Sequence, residues 1–176
     1  MSGQTLANKQ LSTQKTAWSA KELCLAAVMT TVVFLATFVP RIPIPLGYAH
    51  LGDAAIFLMV LLLPRRPALL AACLGSALSD LLGGFPLWIL PTLLIKFVMG
   101  YIVVKFSSRT SGFSRLLAAC LLASVWMAFG YTVFGALLYD SISAALASAP
   151  GLVIEGIVNT AVALILLPLL NKQIKE

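Results

Sequence analysis

The feature that most constrains this chain is a succession of long apolar runs, separated by turns of proline, glycine and basic residues and almost free of charge inside. The runs are continuous rather than alternating, which reads as helix and not as barrel strand. Hydrophobic residues make up 60% of the 176 and charged residues 10%, with a mean hydropathy of +1.00. A soluble domain of this length needs far more polar surface, so the solvent is lipid. Lipid offers the backbone no hydrogen-bond partners, and helices satisfy theirs internally. The expected fold is all-α: an integral membrane bundle of six transmembrane helices, with both termini cytoplasmic.

Punctuation residues place the six helices at about 21–39, 52–63, 68–82, 87–106, 115–139 and 152–170. They form a membrane domain over 21–170, between a cytoplasmic tail at 1–20 and another at 171–176. The first tail is polar and lacks the apolar core of a signal peptide. A full span takes about 20 residues, so the second and third helices must be extended by their flanks, tilted or covered by neighbours. Ten of the twelve basic residues fall on one set of helix ends: Lys9, Lys15, Lys21, Arg65, Arg66, Lys105, Arg109, Arg115, Lys172 and Lys175. The opposite ends carry Arg41 alone, with Asp53 and Asp140. That asymmetry sets the inner face and accounts for the net charge of +6 without nucleic acid. Cys24, Cys73 and Cys120 lie apart inside apolar runs, reading as reduced small hydrophobes rather than metal ligands.

Asp80, Lys96 and Glu155 fall within the predicted spans. A charge near the bilayer centre costs roughly 2.5–3.5 kcal/mol, so such groups face a cavity or one another. All three belong to the outer half of the bundle, as does Asn159, one helical turn after Glu155 on the same face. A structural ion triad is one reading, but one ammonium against two carboxylates leaves a charge of −1 and invites a further partner. Tyr48 and His50 in the first outer loop, with Phe85 and Trp88 in the second, would roof a polar pocket with aromatic rings. Taken singly, Trp88 reads as an interfacial aromatic and His50 as a loop residue.

Small residues form ridges on two helices. Ala68, Ala72 and Ser76 lie on one line of the third, and Ala26, Ala27, Thr30 and Thr31 lie on the first. Such ridges allow close helix approach, within the bundle or to a partner. No P-loop, HExxH or GxSxG motif is present, and no cofactor or metal is expected. An intramembrane enzyme, with Asp80 and Glu155 as an acid/base pair, and a purely structural subunit are the readings of other classes. A pocket without an engine implies a partner that supplies one.

Leu51-Gly52-Asp53-Ala54-Ala55-Ile56-Phe57-Leu58, preceded by Ile42-Pro43-Ile44-Pro45, resembles the substrate-binding S components of energy-coupling factor vitamin transporters. So does the stretch from Gly75 through Asp80-Leu81-Leu82-Gly83-Gly84 to Pro91-Thr92-Leu93-Leu94-Ile95-Lys96. The likeness falls in the riboflavin-type and pyridoxine/hydroxymethylpyrimidine-type branch. It implies a multi-pass subunit of a bacterial cell membrane, without its own ATPase, that captures a small heteroaromatic vitamin from outside. Pyridoxine or hydroxymethylpyrimidine is the favoured cargo, and riboflavin the alternative. The implied partners are a transmembrane coupling protein (the T component) and two cytoplasmic ATPase subunits. The first outer loop, about 41–51, would close over the ligand. The substrate site would comprise Tyr48, His50, Asp80, Phe85, Trp88, Lys96, Glu155 and Asn159. The docking face would comprise Ala26, Ala27, Thr30, Thr31, Ala68 and Ala72, although the Ala-x-x-x-Ala motif of such subunits is Ala27-x-x-x-Thr31 here.

Overall fold

A computed structural model describes residues 18–108 and 110–173. The predicted tail residues before 18 and after 173, with Lys9, Lys15, Arg109 and Lys175, lie outside the described residues. In chain order the elements are α1 (Ala20–Phe38), β1 (Ile42–Ile44), β2 (Gly47–Ala49), α2 (Gly52–Leu62), α3 (Arg65–Gly83), a 3-10 turn (Pro86–Trp88), α4 (Ile89–Phe106), α5 (Phe113–Tyr139) and α6 (Ile142–Gln173). Six helices therefore form where six apolar runs predict them, with two changes at their starts. Helix α3 begins at Arg65, because Pro67 sits in the first turn, where a missing N–H costs nothing. Helix α6 begins ten residues earlier than the expected 152 and runs through Pro150.

Four stretches are long and apolar enough to cross a membrane: Ala20–Phe38, Pro86–Phe106, Phe113–Tyr139 and Ile142–Lys172. The other two helices differ in kind. With 11 residues, α2 is about 16 Å long, half a hydrocarbon core. It touches α1, α3, α4 and α6 and is buried along nearly its whole length, with Ile56 and Phe57 fully covered. Neighbouring helices therefore replace lipid around it. In α3, the apolar side faces out through Leu70, Leu74, Leu78 and Leu81, while Ala68, Ala71, Ala72 and Gly75 face in. The outward leucines, valines and isoleucines of every long helix make a surface suited to acyl chains.

Helix α1 starts at a capping box: Ser19 Oγ accepts from Glu22 N–H at 3.2 Å, and Ser19 N–H donates to Glu22 Oε2 at 3.0 Å. It packs chiefly on α3. The closest approach is at Gly75, where an added Cβ would lie 2.7 Å from Val33 Cβ and 2.8 Å from the Thr30 carbonyl oxygen. The first outer loop is a β-hairpin, which the sequence reading did not foresee. Its register is Ile42↔Ala49, Pro43↔Tyr48 and Ile44↔Gly47. An isolated pair of strands tolerates Pro43 and Pro45, since neither has to donate to a further strand.

Gly75→Ala tests the α1–α3 contact. Alanine gains about 1 kcal/mol of helix propensity but must displace backbone as well as side chain, an overpacking cost of about 1–3 kcal/mol. A lower unfolding temperature in detergent is expected; a higher one would show that the two helices do not meet so closely.

Candidate functional site: a roofed pocket over a buried charge network

The intramembrane charges do not form the predicted triad. Lys96 Nζ, fully buried in α4, pairs with Asp53 Oδ1 in the first turn of α2. Glu155 of α6 pairs instead with His50, whose Nδ1 lies 2.9 Å from Oε1. A bare imidazole nitrogen would repel a carboxylate oxygen at that distance, so Nδ1 carries a proton there. The Gly52 N–H, also within 3.2 Å of Nδ1, is then not satisfied by that atom. Burial alone would push the His50 pKa down; the Glu155 carboxylate, by charge and by hydrogen bond, outweighs this and raises it.

Asn159, also fully buried, holds this network in register. Its Nδ2 donates to the His50 carbonyl at 2.7 Å and to the Glu155 carbonyl at 2.9 Å, and its Oδ1 accepts from Ala54 N–H at 2.8 Å. Both amide protons and one side of the amide oxygen are thereby engaged. Asn159 and Lys96, both assigned to the substrate site on sequence, sit behind its wall and organise it. Donor atoms of His50, Asp53 and Glu155 lie within 4.8 Å of one another, a spacing a metal could use. The Lys96 ammonium already pairs with Asp53 and the His50 Nδ1–H with Glu155, so a metal would have to displace both.

The pocket itself is a cavity of about 50 Å³ between the hairpin, α3, the 3-10 turn after it, α5 and α6. Tyr48, Phe85, Trp88 and Tyr131 supply its aromatic walls, Ile44, Leu46 and Leu152 its aliphatic ones, and His50, Asp80, Ser148 and Glu155 its polar groups. Six of the eight predicted site residues thus line it. Phe85 is placed by the end of α3: Gly84 takes a left-handed φ of 86°, and Phe85 N–H returns to the Asp80 carbonyl at 2.8 Å. Trp88 Nε1 donates to Tyr139 Oη at 3.2 Å, and its ring stands 5.3 Å from Tyr131. Tyr48 lies 5.5 Å from Phe85 and donates to Asp80 Oδ1 at 3.2 Å. Burial pushes the Tyr48 phenol up, so it remains a donor at neutral pH. Asp80 Oδ2 is buried without a hydrogen bond, and the Thr92 hydroxyl close to Asp80 bonds Tyr131 Oη at 3.0 Å.

Sequence reasoning missed Asp53, Tyr131 and Ser148. Asp53 was read as an outer-end charge. A signal was available: a deeply buried lysine requires a carboxylate at its own depth, and a helix too short to span begins inside the bundle. Nothing in the sequence marks Tyr131 or Ser148.

Of the predicted docking residues, Ala26, Ala68 and Ala72 are buried within the bundle, and Thr30 is half-buried. Ala27 and Thr31 face outward, with Thr31 Oγ1 bonded to the Ala27 carbonyl at 3.1 Å.

Lys96→Met would strand Asp53 as an unpaired buried carboxylate, a loss of about 3–5 kcal/mol. A large fall in unfolding temperature is therefore expected, largely recovered in the double variant Lys96→Met/Asp53→Asn. A single variant as stable as the parent would contradict the pairing.

Residues 17–175 match the family of the ECF-type riboflavin transporter S component. An uncharacterised protein of Pyrococcus woesei is 38% identical over 109 residues, covering 61% of this chain and 73% of that protein. The apolar helices, the pocket and the family match agree, and the chain belongs to the ECF-type riboflavin transporter S component family, the membrane-embedded vitamin-binding subunits of energy-coupling factor transporters.

Proposed function

We propose that this subunit captures riboflavin at the pocket beneath the hairpin. The observation that carries the reading is Asp80: a buried carboxylate with one unengaged oxygen, lining a cavity walled by four aromatic rings. A flat heteroaromatic ring stacks on such walls, and its imide or side-chain hydroxyls donate to the carboxylate. Lys96 and Glu155 are spent on Asp53 and His50, so a basic ring would not meet two unpaired carboxylates. The match to a riboflavin family adds weight. Pyridoxine or hydroxymethylpyrimidine is the second reading, favoured by the cavity of about 50 Å³. Typical small-molecule sites hold roughly 300–1,000 Å³, so riboflavin requires the hairpin to move outward. A phosphorylated vitamin would set its charge against Asp80 and is disfavoured.

Purified protein should quench riboflavin fluorescence with sub-micromolar affinity. Asp80→Asn should weaken binding about tenfold or more, the cost of losing a charged hydrogen bond. Binding of pyridoxine or the pyrimidine, with none of riboflavin, would select the second reading; binding of none of the three would reject both.

The proposal extends to topology and partners. All six helices belong to the membrane domain, α2 as its covered core, with both termini cytoplasmic. A T component and two ATPases would drive release of the cargo, and the outward Ala27–Thr31 face of α1 is the favoured docking surface. The α4–α5 turn carries Lys105 and Arg115 and should face the cytoplasm. Thr110→Cys, made in a background lacking Cys24, Cys73 and Cys120, should resist an impermeant thiol reagent on intact cells and react after lysis. Labelling of intact cells would invert the arrangement.

A further inference from the structure

The hairpin is fastened on two sides, and by different means. Towards α6 its own backbone is held: Leu46 N–H donates to Ser148 Oγ at 3.1 Å, His50 N–H donates to Glu155 Oε1 at 3.3 Å, and the His50 carbonyl accepts from Asn159 Nδ2 at 2.7 Å. Towards α3 it is held through side chains, and the fastening converges on Arg41. Its guanidinium carbon stands 3.9 Å from the centre of the Phe38 ring and 4.4 Å from that of Tyr48, so one cation bridges the end of α1 and the second hairpin strand. Nη2 donates to the Ser79 carbonyl at 3.3 Å and to Ser79 Oγ at 3.4 Å.

These bonds run in one direction. A guanidinium can only donate, so Ser79 Oγ accepts from Arg41 and directs its own proton to Tyr48 Oη, 3.1 Å away. Tyr48 in turn donates to Asp80 Oδ1 at 3.2 Å. Arg41 thus reaches the pocket carboxylate through two hydroxyls, each polarised by the one before. The outer end of α3 is also cut away to receive it: a Cβ at Gly83 would lie 2.9 Å from Nη2 and 3.1 Å from Nη1. A solvated outer-face arginine, the reading from sequence, needs neither two rings nor a bare helix end.

We propose that Arg41 is a positioning residue for the binding site, a clasp that holds the hairpin shut against α3 and aims Asp80 through Ser79 and Tyr48. Ligand release then begins with loss of this clasp, while the hairpin swings on its backbone anchorage to α6. The inference rests on the reading of the pocket as a vitamin site, and its test separates the two.

Riboflavin release from purified protein, followed by recovery of flavin fluorescence in stopped flow, is the first readout. Arg41→Met keeps the apolar stem and removes the guanidinium. Gly83→Leu keeps Arg41 and fills the notch that receives it. Release should quicken about tenfold or more in both, the scale of a lost stacked cation. Association should change less than threefold, about, since the clasp acts after capture. Arg41→Lys, which keeps the charge but not the planar fork, should restore little of the loss. The second readout needs no ligand: spin labels at Pro45→Cys and Leu82→Cys should report longer, broader distances when either change is added. Should the protein bind no riboflavin, the riboflavin reading fails while the label distances still judge the clasp. Unchanged release or unchanged distances in a folded variant, or full rescue by lysine, would overturn the proposal.

Discussion

The fold depends on neutralising Lys96. A fully buried ammonium requires a carboxylate at its own depth, and Asp53 meets that need only because α2 begins inside the bundle. Fixing the start of α2 fixes the residues immediately before it, and His50 is brought onto Glu155 three residues before Asp53. Asn159 ties the same corner to α6 by accepting from Ala54 and donating to His50. The hairpin grows from that corner. One ion pair in the core therefore sets where the roof of the pocket hangs.

The apolar runs made the helices legible, because lipid demands continuous intrahelical hydrogen bonding and the sequence can meet that demand in only one way. Asp80, Glu155 and Lys96 were legible as residues out of place. Their pairings were not, since depth along a helix does not reveal which neighbouring helix faces it. Asp53 was hidden by its position just after the Leu51-Gly52 corner, which reads as a helix end at the membrane surface. The hairpin was hidden by Pro43 and Pro45, which argue against strands unless the pair stands alone. Pro150-Gly151 read as the start of α6 for the same local reason, yet Ser141 starts the helix nine residues before Pro150 and receives the Ala144 N–H on its hydroxyl at 3.3 Å.

Small residues illustrate a further limit of pattern reading. Ala68 and Ala72 of α3 look like a surface for a partner, but they are fully buried within the bundle, and Gly75 brings the α1 backbone against the same ridge. The sequence shows that two backbones approach closely; it does not show whether both belong to one chain. Only Ala27 and Thr31 of the predicted set remain outward. Of the proposed docking face, only the side of α1 turned away from α3 is therefore open to a partner.

The division of polar groups between support and recognition follows from the same accounting of charge. Lys96 is paired with Asp53 and His50 with Glu155, and both amide protons of Asn159 are engaged. A ligand that broke these pairs would have to compensate several kcal/mol, about the cost of an uncompensated buried charge. Recognition is less costly at groups whose partners are neutral. Asp80, bonded to a phenol and retaining an unengaged oxygen, is such a group. It also lies at the α3 edge of the hairpin, away from the α6 edge where the hairpin backbone is bonded. The proposed opening along α3 would expose Asp80 while the Lys96–Asp53 and His50–Glu155 pairs stay closed, so that a ligand could enter without exposing the charges that hold the bundle together.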